Sequence, residues 1–141
     1  MPQIQHEGYA EALQRIAQAV ECKAETLWLG GLDLTEIPTE IAQLAPFLKE
    51  LSFSGHFYNK EEEEYDRGIY EDNGLENIEV LACFEVIEDL NLGYSSIFLS
   101  ITPLLAIKTL KKLSISNHEI QNIDDLALLT NLRYLSLIKA L

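Results

Sequence analysis

Five stretches of this chain place apolar side chains at a spacing that neither a helix nor a strand can follow for long. They are "LWLGGLDL" (27–34), "LKELSFSGHFY" (48–58), "IEDLNLGYSSI" (87–97), "LKKLSISNHEI" (110–120) and "LRYLSLIKAL" (132–141). In the fourth, Leu110, Leu113, Ile115 and Ile120 are separated by three, two and five residues. A helix needs a period near 3.6 and a half-buried strand a period of two. The fourth-position residues Leu27, Leu51, Leu90, Leu113 and Leu135 follow one another at 24, 39, 23 and 22 residues. A mixed spacing that recurs describes a coil. A short strand turns its leucines inward, the next apolar positions fill a corner, and an outer segment returns to the next strand. One coil buries its leucines only against its neighbours, so the coils must stack.

This template resembles the leucine-rich repeat and its L-x-x-L-x-L-x-x-N-x-L unit. The resemblance covers residues 24–141, about five repeats. It implies an α/β solenoid with a parallel β-sheet on the concave side and helices or 3₁₀ turns on the convex side. "LTEIPTEIAQL" (34–44) is similar to the L-x-x-I-P-x-x-I outer turn of bacterial and plant-like members. "ITPLLAIKTLKKL" (101–113) and "IDDLALLTNLRYL" (123–135) are closer to the 22-residue class of internalins and a protein-phosphatase regulatory subunit. One departure concerns the ninth position, where an Asn amide normally satisfies turn backbone groups. The fixed spacing puts Leu32, His56, Ser95, His118 and Ala140 there. A weak ladder is expected, completed by water or neighbouring side chains.

Residues 1–23 precede the first repeat. Tyr9, Leu13, Ile16 and Val20 fall on one face of a helix about four turns long, a natural lid for the first coil. Cys22 and Cys83 lack paired spacing and are expected as buried thiols of a reducing compartment. The long 39-residue step holds an acidic insertion at 59–74, "NKEEEEYDRGIYEDNG". It is expected as a solvated, mobile loop. Its acids Glu61, Glu62, Glu63 and Glu64, with Tyr65 and Tyr70 among them, also suit a basic, partly apolar protein surface.

Charge narrows the partner. With 23 acidic and 10 basic residues the formal net charge is −13. That balance repels phosphate backbones and anionic lipid, so neither nucleic acid nor membrane is an expected partner. With no run resembling a signal peptide or membrane span, a cytoplasmic location is expected. No phosphate loop, H-E-x-x-H or C-x-x-C occurs, and the histidines and serines take non-adjacent template positions. Neither catalysis nor a cofactor nor a metal is expected.

The positions flanking the inward leucines face the concave side. Trp28, Ser52, Ser54, Asn91, Ser114, Ser116 and Ser136 form a trough of mostly small residues there, with Tyr94 and Tyr134 at its flanks. Small side chains let a partner approach closely, and aromatic ones anchor it. The expectation is a non-catalytic module that binds a protein partner, a basic one by charge. Two alternatives stand beside it. "ALQRIAQAV" followed by "LWLGGLDLTEIPTEIAQL" looks like the start of the repeat domain in Roc-type GTPases, which implies a recognition domain of a larger signalling protein. An acidic inhibitor of a basic enzyme is the other. The last template, ending at Leu141, leaves Leu135 and Leu137 with no following coil. A second copy forming a homodimer, or further segments, are expected to cover them.

Overall fold

The strands of the stacked coils form at the inward leucines of the templates, where apolar residues alternate with outward polar ones. The computed structural model describes residues 6–59, 63–67, 72–93, 100–116 and 120–138. Helix α1 (Glu7–Cys22) comes first, followed by β1 (Thr26–Trp28), β2 (Glu50–Ser52), β3 (His56–Asn59), β4 (Glu64–Arg67), β5 (Asp89–Asn91), β6 (Lys112–Ser116) and β7 (Tyr134–Ile138). Among the described residues β1, β2, β5, β6 and β7 form one sheet in that order, every pair parallel. Short 3₁₀ turns close the coils at Thr39–Leu44, Glu79–Cys83, Thr102–Ala106 and Ile123–Leu128.

The register aligns Leu27, Leu51, Leu90, Leu113 and Leu135 as one inward row. The first four are buried, as are Leu29, Phe53, Leu92 and Ile115 two residues further along. Ile41, Leu44, Leu81, Leu104 and Leu126 pack onto them from the 3₁₀ turns. Truncating one such leucine to alanine in a close-packed interior costs about 2–5 kcal/mol. The core is therefore continuous along the stack.

Helix α1 starts at His6, whose side chain accepts from Tyr9 N, and ends at Lys23 in the left-handed conformation. The face it buries differs from the one that periodicity suggests. Gly8, Ala12, Ile16 and Ala19 are buried, while Tyr9 and Val20 pack at the margins. Close approach is the reason. A side-chain carbon at Gly8 would overlap the carbonyl of Leu32, so small residues set the helix directly against the first corner. The same rotation leaves Cys22 exposed, not buried, with only Cys83 half-covered.

Part of the acidic insertion is ordered structure, not a featureless loop. β3 and β4 pair antiparallel, Asn59 opposite Glu64, and Glu63 precedes β4 in a left-handed turn conformation. The chain leaves the second coil after Gly55 and rejoins it at Asn73, which is 4% exposed. The next residues run beside the first coil, with Gly74 N donating to Leu34 O and Glu76 N to Thr35 O. Asn73, not His56, thus fills the ninth position of the second coil. With residues 56–72 set aside, Leu51 and Leu90 are 22 residues apart, the same step as from Leu113 to Leu135.

Candidate protein-interaction surface

Two outward rows cross the sheet in register. One runs Thr26, Glu50, Asp89, Lys112, Tyr134, and the other Trp28, Ser52, Asn91, Ser114, Ser136. The alternation of a strand dictates this, since residues either side of an inward leucine share the opposite face. Five of the expected trough residues therefore lie side by side along the second row. Ser54 adjoins its Trp28 end.

Three of the row members, Trp28, Ser52 and Asn91, have local side-chain ties. Trp28 Nε1 donates to Ser54 O at 2.7 Å, and the Arg15 guanidinium lies 5.1 Å from the centre of the indole. Arg15 also donates to Trp28 O at 3.2 Å and pairs with Glu11 at 3.1 Å. The indole is half-buried, fixed by the helix on one side and the second coil on the other. Gly30 makes this possible, because a side chain there would overlap both Ser54 O and Trp28 Nε1. Ser52 Oγ accepts from Ser54 N at 3.2 Å, and Asn91 Oδ1 from Gly93 N at 2.9 Å. Ser114 is half-buried and Ser136 exposed. Tyr134, 67% exposed, belongs to the other row, beside Lys112. Ser116 continues β6, opposite Ile138 of β7. Tyr94, Glu61, Glu62 and Tyr70 lie outside the described residues, as do His118, Ser95 and Ala140. Glu64 and Tyr65 belong to β4, opposite Asn59 and Tyr58, and Glu63 is exposed.

Asp89 sits mid-row between Glu50 and Lys112. Partial burial raises its pKa above the usual carboxylate value, and the Lys112 ammonium opposes that shift. Charge in the middle of this face is therefore only partly solvated. Among the described residues no three His, Cys, Asp or Glu side chains gather where a metal could be held. No helix among them is long and apolar enough to cross a membrane.

The residue that sequence reasoning missed is Asn73. Its Oδ1 accepts from Leu32 N at 3.2 Å and Leu34 N at 2.9 Å, and its Nδ2 donates to Leu29 O at 2.8 Å and Phe53 O at 3.3 Å. It binds the first two coils together at their corner.

A parallel ladder of three- to five-residue strands, 3₁₀ turns outside and an asparagine at the corner define a leucine-rich repeat solenoid. Solved structures of the same architecture include two internalins from Listeria monocytogenes. Internalin F is similar over 79% of this chain at 25% identity, with a TM-score of 0.55. Internalin C2 is similar over 94% of it at 18% identity, with a TM-score of 0.58. The chain spans 26% of the length of the first and 65% of the second. No protein-family model matches the chain, and no curated protein does.

Proposed function

We propose that this protein is a non-catalytic module that binds a protein partner through the concave face, working in the cytoplasm. The observation that carries the reading is the row Trp28, Ser52, Asn91, Ser114, Ser136, in register across five strands. Small polar side chains on a rigid sheet leave room for a partner's backbone, and half-buried Trp28 supplies an aromatic edge. Residues 1–23 act as the cap of the first coil, and 24–141 as the binding solenoid. The free thiol of exposed Cys22 suits a reducing compartment. The net charge of −13 favours a partner with a basic surface.

The test is capture of a partner from the native cell, followed by calorimetry with that purified protein. Ser114→Arg should weaken binding by about tenfold or more, equivalent to about 1.4 kcal/mol. Ala82→Arg, on an exposed position of the convex side, should leave binding unchanged. Equal losses from both, or none from Ser114→Arg, would contradict the proposal.

A further inference from the structure

Charges on neighbouring coils are paired just before the strands and left unpaired one residue further along. Before the strands, Lys49 pairs with Glu25 at 3.6 Å and Lys111 with Glu88 at 3.1 Å. The next residues form the outward row Thr26, Glu50, Asp89, Lys112. Here two carboxylates stand side by side in register, Glu50 on β2 and Asp89 on β5. Adjacent strands lie about 4.8 Å apart, so both carboxylates are within reach of one cationic group. Among the described residues neither carboxylate has an ion pair or a hydrogen-bond donor. Lys112 flanks Asp89 on the other side and forms no ion pair with it.

Like charges held side by side on a sheet repel, and Asp89 is half-buried, so water screens the pair incompletely. Burial raises the pKa of Asp89, and the Lys112 ammonium opposes the rise. Neither side chain ties its coil to a neighbour, so the repulsion has no structural return. Two residues further along, the trough continues with the small side chains of Ser52 and Asn91.

We propose that Glu50 and Asp89 together seat an arginine side chain of the protein partner, presented by a segment that lies across the coils of the concave face. The proposal deepens the concave-face reading and rests on it. A guanidinium suits the pair, because its planar fork of donors bonds two carboxylates at once, whereas an ammonium is a single point of charge. The net charge of −13 draws such a segment in. Lys112 sets its position, since it repels the cation from the fourth coil and confines it to the second and third. A second copy of this chain is a poorer occupant, because two molecules of that charge repel each other.

The test uses the whole chain and two synthetic peptides, acetyl-Ser-Ser-Arg-Ser-Ser-amide and its neutral counterpart with citrulline in place of arginine, followed by amide NMR at low salt. The arginine peptide should shift the amides of residues 50–52 and 89–91 and bind about tenfold more tightly than the citrulline peptide, the scale of one hydrogen bond to a charged group. Glu50→Gln combined with Asp89→Asn, checked for folding by circular dichroism, should remove that difference, and Lys112→Gln should strengthen arginine binding. Equal binding of both peptides, shifts confined to residues outside the concave row, or a difference that survives the double variant would overturn the proposal. With the captured partner, binding should fall both in the double variant and in Ser114→Arg, which leaves the two carboxylates untouched. Binding lost in Ser114→Arg but kept in the double variant would overturn the arginine seat alone, and binding kept in both would overturn the concave-face reading with it. A dimer in sedimentation that the double variant dissociates would assign the seat to a second copy and likewise overturn the proposal.

Discussion

The amide of Asn73 donates to the carbonyl of Leu29 at 2.8 Å across 44 residues of sequence, and closes the first corner of the solenoid from the far side of an acidic hairpin. Truncation of this one side chain should be costly. Asn73→Ala strips the buried N–H groups of Leu32 and Leu34 of their acceptor and leaves the interior little to replace it. Loss of such buried bonds costs about 2–4 kcal/mol. Urea titration should show a lower midpoint with an unchanged slope.

The hairpin itself should be dispensable to the fold. Gly55 sits against the Asp72 carboxylate, so the chain leaves and re-enters the coil at nearly one place. Replacing residues 57–70 by two glycines should keep the cooperative thermal transition, because closing a shorter loop costs little entropy. Adding Asn73→Ala to that variant should lower its melting temperature by about as much as in the full chain. A loss of cooperative melting in the hairpin deletion alone would show that β3 and β4 brace the stack.

Asp89 gives a pH signature. Its pKa is raised by burial, so the folded protein holds that proton more tightly than the unfolded chain. The contribution to stability is most favourable below the ordinary carboxylate pKa and declines as pH rises through the raised value. Asp89→Asn should therefore melt higher than the parent at neutral pH, and the gain should vanish in acid. Lys112→Met removes the opposing charge and should push the Asp89 titration further up, as read by carboxyl carbon NMR.

The two cysteines should separate kinetically. Cys22 is exposed, whereas burial raises the Cys83 thiol pKa and lowers its thiolate fraction. At neutral pH a maleimide should label Cys22 first, and Cys22→Ser should abolish the fast phase.

Much of the fold can be read from the leucines, because a row such as Leu27, Leu51, Leu90, Leu113 and Leu135 is fixed by the inward geometry of a parallel stack. The corner could not be read by fixed spacing. Counting nine positions from Leu48 reaches His56, since residues 56–72 intervene before the asparagine that does the work. A signal was present in "NGL" at 73–75, an N-x-L tail detached from its strand. The buried face of α1 was displaced for a different reason. Periodicity weights large apolar residues, while the helix approaches through Gly8, Ala12 and Ala19. Trp28 could be placed on the outward row from sequence, but its bonds to Ser54 and Arg15 join segments that no local pattern connects.

The concave face can be tested most directly by contact mapping inside cells. A photo-cross-linking amino acid at Ser114 or Ser136 should capture one and the same protein, because both positions lie on a single outward row. The same group at Ala82 or Ala106, exposed on the convex 3₁₀ turns, should not capture it. Capture from the convex positions, with none from Ser114 and Ser136, would contradict the assignment of the concave row as the binding surface.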